Sequence, residues 1–249
     1  MDAFDAETVA LWRAASVGAV VLDGFHAVKH AIRFGAQVRV VVTGDLAAAC
    51  GLAQALADDV RAYIEEHARQ VSPATLRELV PRGSPTGVVA LAGLPRAGVL
   101  GATRSAPVVV LENPRNLGNV GAVVRLAAGY GASAVLTTGE LDPWHPNVVR
   151  GSAGLHFATT VERVSPGELP AGPVYVLDPE GDDLRAIEIP DDAVLAFGTE
   201  RHGVSAALRA RADRLVAIPM RPGVSSYNLA TSVGMTLFRW STTSEHAPG

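Results

Sequence analysis

The chain of 249 residues contains a single cysteine, Cys50, and this scarcity excludes several classes of protein. One cysteine cannot form an internal disulfide, so the disulfide framework common in small secreted domains is excluded. The seven histidines are scattered and form no cluster with the cysteine, so no metal site is predicted. Such cysteine usage is typical of a reducing compartment and predicts a cytoplasmic protein.

Long apolar runs and a basic surplus are also missing. No apolar stretch approaches the roughly 20 residues of a bilayer-spanning helix, so we expect no membrane segment. The first residues include Asp2, Asp5 and Glu7 rather than the basic-then-apolar layout of a signal peptide. The net charge of −4 gives no global sign of nucleic-acid binding, whereas a hydrophobic share of 48% is enough for a sizeable core.

Lysine is nearly absent, since Lys29 is its only instance and arginine supplies the other basic charges. Five arginines gather in the C-terminal half: Arg201, Arg209, Arg211, Arg214 and Arg221. Two interpretations remain open for this cluster. It could form a local face that binds phosphate, or it could be the solvated surface around a helix.

Short apolar runs alternate with helix-like segments along most of the chain. Strands are predicted at 19–22, 38–43, 86–91, 107–111, 134–137, 174–177, 194–197 and 215–219. Helices are predicted at 24–34, 45–70, 120–130 and 229–240, with Asp45 as an N-cap and Gly131 as a helix end. This alternation predicts an α/β fold whose parallel sheet has helices on both faces.

A stretch rich in glycine, proline and serine interrupts the pattern at residues 93–106. We interpret this stretch as a linker because it has little periodicity. It divides the chain into an N-terminal domain, 1–92, and a second domain, 107–249.

Three polar stretches each follow a predicted buried strand, where open parallel sheets bind ligands. The first, residues 112–132, has Gly118 and Gly121 at a helix start, where backbone could approach a phosphate. A dinucleotide fingerprint would require a further glycine where Asn116 stands, so only a weak G-x-x-G remains. Arg125 lies in an apolar helical run. It could emerge on the solvated side, but its apolar neighbours favour an anionic or hydrogen-bonding partner.

The second stretch is LAFGTERHGVS, residues 195–205, in which Glu200 could be functional or merely a first-turn acid of the next helix. The third is RPGVSSYN, residues 221–228, between a strand and a helix. Ser225 or Ser226 would make a good N-cap for that helix. Asn228 is a poor interior helix residue and requires a separate reason. No G-x-S-x-G elbow or P-loop occurs.

Taken together, these stretches resemble the SpoU/TrmH-type branch of the SPOUT RNA methyltransferases. The resemblance lies in NLGNVGAVVR (116–125), FGTERHG (197–203) and IPMRPGVSSYN (218–228), with DPWHPNVVRGSAG (142–154) between them. It covers about residues 105–242. The stretches VVLDGFHAVKHAIRFG and SPTGVVAL are similar to the family's small substrate-recruiting domain, which resembles an RNA-binding ribosomal protein.

The resemblance implies a parallel α/β sheet whose C-terminal segment forms a trefoil knot. It also implies a homodimer that binds S-adenosylmethionine and transfers its methyl group to a ribose 2′-hydroxyl of RNA. The RNA could be ribosomal or transfer RNA, with ribosomal RNA slightly favoured. The alternatives are a methylase of ribosomal RNA that confers antibiotic resistance, and a catalytically silent RNA-binding relative. A nucleotide-dependent oxidoreductase is disfavoured by the incomplete glycine fingerprint.

The resemblance carries residue roles to matching positions of this sequence. The catalytic positions are Arg125, Asn119, Glu200, Ser226 and Asn228. The cofactor-binding positions are Gly198, Ile218, Met220, Tyr227, Thr137 and Phe197. The RNA-binding positions are Arg115, Arg150, Ser152 and Arg201. The family commonly has leucine in place of Tyr227 and often serine in place of Ala230, so these two residues affect the expected shape of the cofactor pocket.

Overall fold

A computed structural model describes residues 2–96, 98, 104–199 and 203–243 of the chain. Two compact units are present, Met1–Arg96 with Ser152–Ala158 and Ala97–Gly151 with Thr159–Gly249. Within the described residues, no helix combines the length and apolarity that a bilayer crossing requires. Residues 97 and 99–103 of the predicted linker lie outside the described part, and the domain boundaries at 92 and 106 stay a prediction.

The first unit packs helices against a mixed four-stranded sheet. Its elements are α1 (Ala3–Ala15), β1 (Ala19–Asp23), α2 (Phe25–Arg33), β2 (Val38–Thr43), α3 (Leu46–Leu56), α4 (Arg61–His67), β3 (Ala68–Gln70), α5 (Pro73–Leu79) and β4 (Val88–Gly93). The strand order is β1-β4-β2-β3. Strand β4 runs antiparallel to β1 and β2, whereas β3 is parallel to β2 at the edge. Trp12 of α1 packs with Val42 and Leu91 in the core of this unit.

The prediction of one helical segment over residues 45–70 is wrong. Helix α3 ends at Leu56, a 3-10 turn follows at Asp58–Val60, and α4 gives way to strand β3. The pairing of β3 with β2 satisfies backbone groups at the sheet edge, and this tertiary contact overrides the local helical preference. The start of the segment is confirmed, because the Asp45 carboxylate accepts a hydrogen bond from the Ala48 N–H at 2.9 Å.

The second unit is built on a six-stranded sheet. Its elements are β5 (Val108–Leu111), α6 (Leu117–Tyr130), β6 (Ala134–Thr137), α7 (Pro146–Gly151), β7 (Thr160–Arg163), β8 (Val174–Asp183), β9 (Val194–Phe197), α8 (Ala206–Arg209), β10 (Arg214–Ala217) and α9 (Leu229–Thr243). The strand order is β10-β8-β9-β5-β6-β7. Every neighbouring pair is parallel, which confirms the predicted sheet type.

Apolar side chains fill both faces of this sheet. On one face, Leu111 packs in a cluster with Val124 of α6 and Val233 of α9. On the other face, Val110 packs in a cluster with Leu208 of α8. Helices therefore cover both faces, as the alternation of segments predicts. The trefoil knot implied by the family resemblance stays a prediction.

The parallel sheet brings the three polar stretches of the sequence to one edge. Strands β5, β9 and β10 end at Leu111, Phe197 and Ala217, and each polar stretch follows one of these ends. Strand β8 adds a fourth segment to this edge. Its register with β10 jumps from Leu215↔Val176 to Val216↔Asp182, so residues 177–181 bulge out of the ladder. We call residues 177–181 the β8 bulge.

Helix α6 crosses α7 at very short range, and a glycine makes this possible. A Cβ atom on Gly121 would lie 2.7 Å from the carbonyl oxygen of Val148 and 2.9 Å from the Cα of Gly151. Both atoms belong to backbone and cannot rotate away. Gly129, in the same helix, has nothing within 4 Å of the corresponding position.

These two glycines form a matched pair for substitution. We expect Gly121→Ala to lower the free energy of unfolding by about 1–3 kcal/mol, because the added methyl group overpacks the helix crossing. Gly129→Ala should instead raise it by up to about 1 kcal/mol, because alanine favours the helix and meets open space. Urea denaturation of both variants measures the difference. Equal stability of the two variants would contradict the close approach at Gly121.

Candidate active site

A cavity of about 640 Å³ lies at the carboxyl edge of the second unit's sheet. It is bounded by the β8 bulge, the segment after β9, and the loop between β10 and α9. The described residues around it are Leu177, Asp178, Pro179, Glu180, Phe197, Gly198, Thr199, Gly203, Val204, Arg209, Val216, Ile218, Met220, Ser225, Ser226, Tyr227, Leu229 and Ser232. Five of the six predicted cofactor positions and the predicted catalytic Ser226 are therefore brought together.

The segment after β9 turns back sharply beside this cavity. Thr199 and Gly203 form two reciprocal backbone hydrogen bonds, of 2.9 and 3.1 Å. A Cβ atom on Gly198 would collide with the backbone of Gly203 and Val204, so this turn requires glycine. Phe197, the last residue of β9, is 2% exposed and anchors the turn in the core.

Glu112 ties this turn to the end of β5. Its carboxylate accepts hydrogen bonds from the Ser205 N–H at 2.7 Å and the Ser205 hydroxyl at 2.6 Å. Ser205 is also the N-cap of α8, since its side chain accepts from the Leu208 N–H. The first and second polar stretches are thus joined by one carboxylate. Sequence reasoning missed Glu112, although its place directly after a buried strand is a signal that could have found it.

The loop between β10 and α9 carries exposed polar side chains around the mouth of the cavity. Ser225, Ser226 and Asn228 are all exposed. Tyr227 is 41% exposed and lines the cavity, while its hydroxyl donates a 3.3 Å hydrogen bond to the carbonyl of Pro219. The side chain of Tyr227 therefore lies against its own loop at the cavity wall.

The prediction that Ser225 or Ser226 caps the following helix is wrong. Helix α9 begins at Leu229, so the capping position is Asn228. The Asn228 Oδ1 atom accepts hydrogen bonds from the N–H groups of Ala230 at 2.9 Å and Thr231 at 3.4 Å. Asparagine is among the strongest N-caps, and this supplies a reason for its place in the sequence. Both serine side chains lie upstream of the capping position.

The remaining polar atom of Asn228 joins the third polar stretch to the first. Its Nδ2 donates a 3.0 Å hydrogen bond to the Oδ1 of Asn119, in the first turn of α6. Asn116 caps that helix by accepting from the Asn119 N–H at 3.0 Å. Two predicted catalytic residues, 109 positions apart in sequence, are therefore in direct contact.

Arg125 lies on the exposed side of α6, two turns beyond Asn119. Val123 and Val124, the two residues before it, are fully buried. Within the described residues Arg125 forms neither a hydrogen bond nor an ion pair, so the anionic or hydrogen-bonding partner expected from the sequence stays a prediction. Its guanidinium faces solvent and is accessible to an external anion.

The other predicted site residues lie elsewhere. Thr137 is fully buried at the end of β6 and does not line the cavity; strand β5 separates it from Phe197 of β9. Its hydroxyl has no hydrogen-bond partner in the described part of the chain. Arg115 and Arg150 are exposed. Glu200 and Arg201 lie outside the described residues.

Ser152 was predicted to contact RNA, and its surroundings contradict that role in this structure. The side chain belongs to the first unit and is fully buried. Its hydroxyl lies 2.8 Å from the Nδ1 atom of His156, which is also buried. A hydroxyl enclosed in this way is inaccessible to an RNA phosphate.

The arginine cluster is largely engaged with partners inside the second unit. Arg209 pairs with Asp178 and Glu180, and Arg214 pairs with Asp182. Arg211 donates a hydrogen bond to the carbonyl of Pro166. These contacts favour the interpretation as a surface of paired charges over a free phosphate-binding face.

Asp178, Glu180 and Arg209 line the cavity but were not among the predicted site residues. The signal that could have found them is the stretch DPEG at 178–181, a polar turn directly after the apolar run 174–177. No group of three or more metal-binding side chains occurs within the described residues.

The second unit is a parallel α/β fold with a cavity at the carboxyl edge of its sheet. Residues 106–238 match the SpoU rRNA Methylase family, and this match spans more than half of the chain. The chain belongs to that family.

Individual relatives agree with this assignment. A 23S rRNA (uridine(2479)-2′-O)-methyltransferase of Streptomyces viridochromogenes is 33% identical over an alignment of 144 residues that covers 52% of this chain and 50% of that protein. An uncharacterized tRNA/rRNA methyltransferase of Synechocystis is 27% identical over 69% of this chain and 66% of that protein. The chain thus spans about half to two thirds of these curated relatives.

A solved structure shows the same fold. The SpoU methyltransferase AviRb from Streptomyces viridochromogenes, in complex with the cofactor AdoMet, matches with a TM-score of 0.76 and 22% identity. The match covers 95% of this chain and 98% of that one.

The two roles of Asn228 can be separated by substitution. Asn228→Ala removes the cap and the bond to Asn119, and should lower the free energy of unfolding by about 1 kcal/mol. Asn228→Ser keeps a capping oxygen but is too short to reach Asn119, so its stability should stay near that of the wild type. Thermal unfolding of both variants measures the difference. If the serine variant is destabilised as much as the alanine variant, capping is not the main structural role of Asn228.

Proposed function

We propose that this protein transfers a methyl group from S-adenosylmethionine to a ribose 2′-hydroxyl of structured RNA, with ribosomal RNA favoured over transfer RNA. The observation that carries the proposal is the junction between the cavity and the Asn119–Asn228 pair. A cavity of about 640 Å³ opens beside exposed hydroxyl and amide groups of the third polar stretch, and Asn228 of that stretch is bonded to Asn119 of the first.

The residues around the cavity fit S-adenosylmethionine. The volume lies within the range of about 300–1,000 Å³ that is usual for small-molecule sites. Leu177, Ile218 and Met220 offer apolar walls for a nucleobase, and Ser225 and Ser226 offer hydroxyls at the mouth. The glycine-dependent turn at Gly198 lets backbone reach the cavity without an intervening side chain.

When bound, S-adenosylmethionine supplies the methyl group of its sulfonium. Transfer breaks the S–CH₃ bond, whose electron pair stays on sulfur, and forms an O–CH₃ bond to the ribose. The hydroxyl proton passes to water. The protein's contribution to such a step is mainly alignment and exclusion of water. The Asn119–Asn228 pair fixes the cavity mouth relative to α6, and Ser226 offers a hydrogen-bonding group there.

Arg125 is assigned to the RNA phosphate next to the reacting ribose. Its exposed guanidinium is available for bidentate contact with phosphate oxygens. Arginine stays protonated at every physiological pH, so it is a poor proton acceptor and a good anion holder. Glu200 keeps its proposed role in orienting arginine and substrate, and Arg115, Arg150 and Arg201 their proposed contacts with RNA.

Ribosomal RNA is favoured because the Streptomyces viridochromogenes relative is named as a 23S rRNA 2′-O-methyltransferase. The name of the Synechocystis relative leaves transfer RNA open. The N-terminal domain, 1–92, is proposed to recruit the RNA, and the domain 107–249 to perform the transfer. A cytoplasmic homodimer is part of the proposal, and the exposed Phe238 of α9 is one apolar residue available to a second copy.

The proposal is tested with radiolabelled S-adenosylmethionine and total RNA from a strain that lacks the gene. We expect the label to enter RNA at one position. A 2′-O-methyl group there blocks alkaline cleavage of the adjacent phosphodiester bond, and this resistance maps the position. Cofactor binding without transfer to any RNA would instead support the catalytically silent relative. The absence of both binding and transfer would remove the enzymatic proposal.

The role of Arg125 gives a second test. Arg125→Ala should reduce transfer by about 100-fold or more, in line with losing one preorganised charge contact, while the cofactor Kd stays within about twofold. Arg185→Ala is the control, because Arg185 is exposed, pairs with Asp183 alone among the described residues and does not line the cavity. Undiminished transfer by Arg125→Ala would remove Arg125 from the catalytic residues.

A further inference from the structure

The β8 bulge places one buried carboxylate at the cavity. Asp178 is 7% exposed, and both of its oxygens are engaged. Its Oδ1 accepts from the Glu180 N–H at 2.9 Å, and its Oδ2 accepts from the Arg209 Nη1 at 2.8 Å. These bonds fix the direction of the carboxylate within the bulge.

Arg209 bridges Asp178 to a second carboxylate. Its Nη2 donates a 2.5 Å hydrogen bond to Glu180, whose side chain is 76% exposed. One guanidinium therefore serves two carboxylates, and the pKa of Arg209 is raised, chiefly by its hydrogen bond to Glu180. We call Asp178, Glu180 and Arg209 the carboxylate triad.

The triad leaves a net negative charge at the cavity. Two carboxylates and one guanidinium sum to −1, and all three side chains line the cavity. No other Asp, Glu, Lys, Arg or His lines it among the described residues. The neighbouring carboxylates Asp182 and Asp183 lie outside the cavity and are each paired with an arginine of their own.

A charge of this sign discriminates between ligands that differ in charge but hardly in shape. S-adenosylmethionine carries a positive sulfonium, whereas its demethylated product carries a neutral thioether. Their amino-acid ends are identical, so interactions with those ends cancel in a comparison. The net negative charge of the described side chains that line this cavity favours the cationic ligand over the neutral one.

We propose that the carboxylate triad selects the sulfonium cofactor over its thioether product. This inference rests on the proposed function and deepens it, because it assigns charge recognition to residues outside the family motifs. It also provides a physical route for exchange after each turnover, since loss of the methyl group removes the charge that the triad favours.

The experiment measures the Kd of both ligands by isothermal titration calorimetry, without any RNA. For each protein the readout is the product Kd divided by the cofactor Kd. Glu180→Gln should lower this ratio about 2- to 5-fold, the effect expected of one exposed ion pair. Asp178→Asn should lower it further, because the lost charge is buried.

Asp182→Asn is the matched control, since it removes a carboxylate of the same strand that does not line the cavity. Its ratio should equal that of the wild type. A third ligand separates charge from methyl shape: an analogue with a protonated amine in place of the sulfonium should follow the cofactor and not the product. If Asp178→Asn does not fold, the exposed Glu180→Gln decides alone.

The outcomes separate this inference from the proposed function. If the wild type binds both ligands and Glu180→Gln leaves the ratio unchanged, the triad only braces the bulge, the inference is overturned and the proposed function stands. An equal fall of the ratio in Asp182→Asn also overturns it, because the effect would then be long-range and not local. If the wild type binds neither ligand, the proposed function fails and the inference fails with it.

Discussion

Parallel pairing of β5, β9, β8 and β10 is the constraint on which the candidate site depends. Because parallel strands all end at one edge, residues from positions 112 to 228 of the chain meet there. The meeting is then fixed by single side chains: Glu112 joins the first stretch to the second through Ser205, and Asn228 joins the third to the first through Asn119. Neither contact could form if one strand were reversed.

Much of this architecture could be predicted from residue pattern alone. The short runs at 38–43, 134–137 and 194–197 are strands with those bounds. For 134–137 and 194–197 the reason is that a parallel strand buried on both faces requires a nearly continuous apolar run. The end of α6 could also be predicted, because Gly131 caps this helix in the left-handed conformation, with φ of 73°. These features depend on nearest neighbours in sequence, and that is why the pattern reveals them.

The features that escaped prediction depend on distant contacts. The β8 bulge contains the polar stretch DPEG, which is typical of a turn and predicts the end of the strand. Strand β8 nevertheless resumes beyond it and pairs again with β10. The burial of Ser152 follows from packing around His156 and leaves no mark on its neighbours in sequence. For the cap of α9, Ser225, Ser226 and Asn228 were all chemically suitable, and only the start of the helix at Leu229 selects asparagine.

The positions of charged side chains in the second unit also depend on the carboxyl edge of its sheet. Arg209 and Arg214 are held by carboxylates of β8, so they stabilise the strand's irregular course more than they attract phosphate. Arg125, in contrast, faces solvent from α6. In the proposed function, the exposed arginine contacts the RNA, and the carboxylates that line the cavity favour the cationic cofactor. An acidic protein can bind RNA in this way, through a few exposed arginines and not through its net charge.

The most direct test of the central claim is hydrogen–deuterium exchange of the full chain with and without S-adenosylmethionine. Protection should rise in peptides that cover 197–205 and 216–232, because these segments wall the proposed cofactor cavity. Peptides over β6, including the buried Thr137, should exchange at unchanged rates. Cofactor-dependent protection confined to β6 or to the first unit would contradict the placement of the site.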